Sequence, residues 1–201
     1  MQDGARAVQF LRHKAATYNL APEHFGATGG SAGGCMLMWL GFHDDLADPA
    51  NDDPVSRQST RLQALAPNAG QSCLHLPTLL EWFQVKSLVE HGGGRPFFGI
   101  PKGAELVITE KLDRTMRDAS PIFHLTKDDP PCFMTFGANQ PVDESSDAGL
   151  WVHHPIMGFK LQEAMAKIGL ECHVQYKGGP AITTYKSQQD FLIKKLAAPK
   201  P

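Results

Sequence analysis

The chain has 201 residues, with 19 Lys and Arg, 21 Asp and Glu, a net charge of -2 and a pI near 6.5. That length predicts one domain with room for an inserted section, and the charge balance excludes the electrostatic footprint of a nucleic-acid or anionic-membrane binder. Hydrophobic residues at 42% against charged residues at 20% exclude a disordered chain, and no run of about 18 apolar residues is present to form a membrane span.

Apolar positions at Ala7, Val8, Phe10, Leu11, Ala15 and Tyr18 follow a helical period, which predicts an amphipathic helix from Asp3 to Asn19. Asn19-Leu20-Ala21-Pro22 ends it, and His24 to Gly29 reads as a short strand of small residues. A Ser/Gly cluster then opens a helix whose body, Cys35 to Leu40, is apolar nearly all round and therefore buried. Asp44 to Pro54, rich in Asp and Pro, is a surface loop, and Leu62 to Ala66 is a second strand. From about Gln71 to Asp118 the strand and helix rhythm is lost, which marks an inserted, cap-like section with one amphipathic helix over Leu76 to Val89. Cys132 to Gly137 is the best strand in the chain, followed by a polar loop and a helix from about Pro155 to Ile168. A strand over Glu171 to Tyr176 and a helix over Tyr185 to Leu196 complete the order. Alternating strands and helices predict an α/β class with a mostly parallel sheet of about four strands, covered by helices on both faces.

The informative segment is Gly29-Gly30-Ser31-Ala32-Gly33-Gly34, between a predicted strand and a predicted buried helix. It contains G-x-S-x-G in the context that motif requires. A serine on a sharp strand-to-helix turn is held in a strained backbone and presented at the end of the sheet, and glycines beside it let the two elements approach. The amide of Ala32 would then point at a developing oxyanion from the helix N-terminus. The competing reading is a glycine-rich turn that packs or binds phosphate.

From about Asp3 to Leu196 the chain resembles the α/β-hydrolases, in their carboxylesterase and lipase branch. The resemblance rests on Asp3 to Val8 leading a helix, the elbow at Ser31, Ala119-Ser120-Pro121 ahead of the Pro130-Pro131 strand, and the paired terminal strand and helix units. It implies the family core from its fifth strand to its eighth, in an N-terminally short member without the first four strands or their His-Gly-Gly-Gly oxyanion loop. His91-Gly92-Gly93-Gly94 matches that loop in letters, yet it follows Ser31 by about sixty residues, so it reads as a flexible lid loop.

The resemblance places the acid just after the Cys132 to Gly137 strand, where Gln140 stands in the place of Asp. A glutamine can orient an imidazole but cannot stabilise imidazolium by charge, so Asp143 or Asp147 is the candidate acid. The family base follows the last strand, and Tyr176 to Thr183 contains no histidine. His153 and His154, at a helix entrance fixed by Pro155, are the candidate bases; His124 is a weaker one, and His173, within a strand, reads as structural.

The Asp-rich loop from Asp44 to Asp53 lacks the glycine and terminal glutamate of a calcium loop and reads as turn and cap chemistry. Trp82, Phe83, Phe97, Phe98 and Trp151 line either a pocket or the core of the inserted section. Cys35, Cys73, Cys132 and Cys172 form no CxxC pair and read mostly as buried, reduced thiols. No metal or organic cofactor is implied, and without an apolar leader the expected location is cytoplasmic. These residues predict cleavage of small carboxylic esters by Ser31. The alternatives are a scaffold that has lost catalysis, or the same fold cleaving glycosides or lactones. An exposed edge on the His24 to Gly29 strand predicts a homo-oligomer.

Overall fold

In the computed structural model, which describes residues 1–101 and 103–197, four strands form one parallel sheet. They are β1 (Gly26–Gly30), β2 (Ala64–Asn68), β3 (Cys132–Ala138) and β4 (Cys172–Lys177), in that spatial order. The connections carry helices α1 (Gln2–His13), α2 (Ala15–Tyr18), α3 (Ala32–Phe42), α4 (Leu76–Phe83), α5 (Glu110–Asp118), α6 (Ala148–Val152), α7 (Ile156–Lys167) and α8 (Gln188–Ala197). Parallel pairing brings the C-terminal ends of all strands to one edge of the sheet, where open α/β folds place their sites.

The core follows from composition. α3 buries Leu37, Met38, Trp39, Leu40 and Phe42 on β1 and β2, in one cluster with Leu65 of β2 and Met134 and Phe136 of β3. Leu76, Leu79 and Phe83 of α4 and Met116 of α5 belong to the same cluster, so the section after β2 packs into the main core. Where the structure departs from the sequence reading, local causes are visible. The first helix divides at Lys14 (φ -96°, ψ 12°). α4 stops at Phe83 because Gln84 turns left-handed (φ 56°) and its amide closes on Leu80 O. α5 is an addition: its sequence is almost wholly polar, only Met116 is buried, and the Thr109 hydroxyl caps it by accepting from Leu112 N at 3.2 Å.

β2 runs through Pro67, although a proline within a strand argues against a central position. Leu65 N donates to Pro131 O at 3.0 Å and Ala69 N to Thr135 O at 2.7 Å. Counting by twos, residue 67 should donate to Phe133 O, and proline has no N–H to give. Gln188, at the start of α8, supplies the donor: its Nε2 reaches Phe133 O at 2.7 Å and Pro67 O at 2.9 Å. Its Oε1 accepts from the Thr135 hydroxyl at 3.2 Å, and that hydroxyl accepts from Asn68 Nδ2 at 2.8 Å.

At the opposite end of β3, burial pushes the Asp129 carboxyl up to about 6, against hydrogen bonds from Thr126 and the nearby Arg61. The sign follows from linkage. Between the ordinary carboxylate value and about 6 the folded chain holds a proton that the unfolded chain releases, so this group's contribution falls as pH rises through that window. Asp129→Asn should remove that part of the slope, measured as the difference in urea unfolding free energy between pH values of about 4 and about 7.

Candidate active site

β1 is built of Gly, Ala and Thr, and it delivers Ser31 to the carboxyl edge of the sheet. Ser31 has φ 51° and ψ -121° and precedes α3 directly. A positive φ on a non-glycine residue is costly and persists only when its surroundings enforce it. Here Ser31 N donates to Asn68 O at 2.9 Å, and Cys35 N closes on Ser31 O at 3.0 Å. The glycines divide their duties unequally. A Cβ on Gly29 would lie 3.2 Å from the Gly33 backbone, and one on Gly34 only 2.8 Å from Gly70 Cα; one on Gly33 would meet nothing within 4 Å. The close approach of helix to sheet is therefore made at Gly34 and Gly70, one residue beyond the motif.

Ser31 Oγ lies 2.8 Å from His153 Nε2. His153 follows α6, and its Nδ1 lies 3.0 Å from Gly149 O. A carbonyl can only accept, so this contact puts the proton on Nδ1 and leaves the Nε2 lone pair facing the serine hydroxyl. The atom that orients the imidazole is thus main-chain oxygen. Gly149 is held by Asp147, which caps α6 by accepting from Gly149 N at 2.7 Å; a Cβ on Gly149 would lie 2.8 Å from that carboxylate oxygen.

The other sequence candidates have different partners. Asp143 Oδ1 accepts from Ser145 N at 2.8 Å and Ser145 Oγ at 2.7 Å, and these bonds hold its carboxyl below the ordinary value. Asp143 therefore stabilises its own turn, and Gly149 O occupies the position facing His153 Nδ1. His154 is buried, with Nε2 donating to Gln140 O at 2.8 Å and Nδ1 accepting from Ile156 N at 3.1 Å. His124 donates to Asp118 O at 2.7 Å, and His173 faces Glu171 at 2.8 Å. The His91 to Gly94 segment is a tied turn: Gly93 N donates to His91 Nδ1 at 3.0 Å, and the His91 ring stands edge-on to Trp151. A Cβ on Gly94 would collide with Val89 O at 2.3 Å.

Ala32 is the first residue of α3, where a helix leaves its amides without intrahelical acceptors. Its N–H is one available donor beside Ser31. Sequence reasoning had no signal for the Gly149 carbonyl, because a backbone atom leaves no residue-type signature. Among the described residues no group of three or more His, Cys, Asp or Glu side chains could hold a metal ion.

Solved structures of similar fold include an acetyl ester-xyloside bifunctional hydrolase from Caldicellulosiruptor lactoaceticus (TM-score 0.62, 21% identity, 87% of this chain and 53% of that one). A truncated carbohydrate esterase from gut microbiota (TM-score 0.62, 19%, 98% and 68%) and an esterase of the planctomycete Thermogutta terrifontis (TM-score 0.57, 20%, 96% and 59%) are also similar. The chain thus spans between about half and two thirds of those relatives. No curated protein matches it. With its parallel sheet, helical layers and serine elbow the chain has the α/β-hydrolase fold, and the BD-FAE family model matches residues 1–148. The chain belongs to the BD-FAE family.

Proposed function

We propose that the chain hydrolyses small carboxylic esters through an acyl-enzyme on Ser31, with His153 as general base. The observation that carries this reading is the 2.8 Å contact between Ser31 Oγ and His153 Nε2 at a strained strand-to-helix turn. His153 takes the hydroxyl proton as Oγ attacks the ester carbonyl, and the oxyanion accepts from the Ala32 amide. Collapse of the tetrahedral adduct breaks the ester C–O bond, and the leaving alcohol takes the proton from His153. Water, deprotonated by the same nitrogen, then releases the acid and restores Ser31. The neutral Gly149 carbonyl fixes the tautomer but offers imidazolium less stabilisation than a carboxylate would. That substitution favours a second reading, a hydrolase-like scaffold without turnover. The esterase activities in the names of the similar structures support the first. A fluorophosphonate probe decides: stoichiometric labelling of Ser31 with turnover of p-nitrophenyl acetate supports hydrolysis, and neither one leaves the scaffold.

On this reading residues 1–201 act as a single domain in which the section 71–118 serves as a cap, with a reducing cytoplasm as the setting of the four unpaired cysteines. No helix among the described residues is long and apolar enough to cross a membrane. We further propose self-association. β1 has no neighbour on its outer side among the described residues, and Phe10 and Leu11 of α1 and Met36 of α3 are exposed. Such an edge invites a second copy. Light scattering should give at least a dimeric mass at micromolar concentration, and a stable monomer there would refute it.

A further inference from the structure

α6 has only five residues. A helix that short cannot hold itself in water, so the place of His153 at its end is set by contacts from elsewhere in the fold. Beside the buried Trp151, which packs edge-on to Phe83 and His91, hydrogen bonds to this segment come from two adjacent residues of the loop after β2. Gln71 Nε2 donates to Val152 O, the carbonyl immediately before His153, at 2.7 Å, and also reaches Ala69 O at 3.2 Å. The Ser72 hydroxyl donates to Met157 O, on the far side of His153, at 2.7 Å. Gln71 is 7% exposed and Ser72 not at all, so neither bond has water as a ready substitute. The end of β2 and the start of the same loop also seat the nucleophile: Asn68 O, in β2, takes the Ser31 amide, and Gly70, in the loop, backs against Gly34 of α3.

We infer that Gln71 and Ser72 are positioning residues that bracket His153 and fix its ring against Ser31. The inference rests on His153 being the base of the proposed ester hydrolysis. One loop then references both partners of the reacting pair, although 122 residues separate them in the chain. Without the Gln71 donor the end of α6 keeps the packing of Trp151 but loses its hydrogen-bonded anchor at Val152 O, and a displacement of about 1 Å costs on the order of 100-fold in a reaction that depends on alignment.

The test uses Gln71→Met, which keeps length and loses the donor, and Ser72→Ala. Turnover of p-nitrophenyl acetate, the fluorophosphonate labelling rate of Ser31, melting temperature and the ring nitrogen resonances of His153 are measured together. The expected result for Gln71→Met is a fall in kcat of about 10- to 100-fold with KM nearly unchanged. The His153 ring should also change from the Nδ1–H tautomer to a mixture, and Ser72→Ala should show a smaller change in the same direction. Wild-type kcat and an unchanged tautomer in a variant that merely melts earlier would overturn the inference. If Gln71→Met does not fold, the same criteria apply to Ser72→Ala. Should the wild-type chain neither turn over ester nor label, the hydrolase reading fails, while the tautomer comparison still decides whether these residues set the ring.

Discussion

On the proposed mechanism Ser31→Ala should lower ester turnover by about three orders of magnitude or more and abolish labelling by the fluorophosphonate, with the melting temperature nearly unchanged. Alanine keeps the backbone amide that donates to Asn68 O and the carbonyl that accepts from Cys35 N, so the elbow retains both of its main-chain anchors. The strain at φ 51° is a property of any side chain with a Cβ and is present before and after the substitution. His153→Ala should cost a comparable factor, because nucleophile and base act as a unit and the loss of either disables the pair. Asp143→Ala distinguishes this pair from a carboxylate-assisted triad. Its carboxylate binds Ser145 and Ser146, so its removal should disturb the turn ahead of α6 and cost much less than His153→Ala. A collapse of activity equal to that of His153→Ala would return the role of orienting group to Asp143.

Gln188→Ala should lower the unfolding free energy by about 1 to 3 kcal/mol, since it leaves the Phe133 carbonyl, which Pro67 cannot serve, without a donor, and an unsatisfied buried group costs about 1–3 kcal/mol; Pro67 O keeps its ladder partner on β3. For a chain of this length that corresponds to a fall in melting temperature of roughly 2 to 12 °C. Gln188→Glu is the sharper control. It preserves the shape of the side chain and replaces a donor by an acceptor against two carbonyl oxygens, so it should be at least as destabilising. Urea unfolding monitored by tryptophan fluorescence measures both. A loss below about 0.5 kcal/mol would show that the sheet accommodates Pro67 without help from α8.

The regular part of the fold was legible because it is written in periodic apolar residues. Val8 and its helical neighbours, Cys35 to Leu40, Cys132 to Gly137 and the two terminal units each announce an element, and their alternation announces the parallel sheet. Ser31 was legible for a different reason: a strained turn needs small neighbours, and small neighbours stand out in sequence. The apolar pattern Leu62 to Ala66 stops short of Pro67 and Asn68, which β2 includes; the donor that compensates for Pro67, Gln188, lies 121 residues away and has no local signature. α5 escaped notice because a helix with one buried side chain has no apolar stripe to detect. The orienting oxygen on His153 was the least accessible of all. Imidazoles are commonly oriented by carboxylates, whereas His153 Nδ1 faces the carbonyl of a glycine, which any residue type could in principle present.

The strand order has a consequence for how the chain reaches its reactive form. Ser31 leaves the end of β1 and His153 lies beyond β3, with β2 between them, so the two side chains meet across about 10 Å of sheet. Neither α3 nor α6 can assemble the contact alone, and docking β1 on β2 does not complete it until β3 is also in register. Contacts of such long sequence separation form late, because the chain must first close the intervening loops. On the proposed mechanism the hydroxyl and the imidazole therefore become a chemically competent pair only in molecules whose sheet has closed through β3. A partly folded chain can hold most of its secondary structure and still present an inert serine.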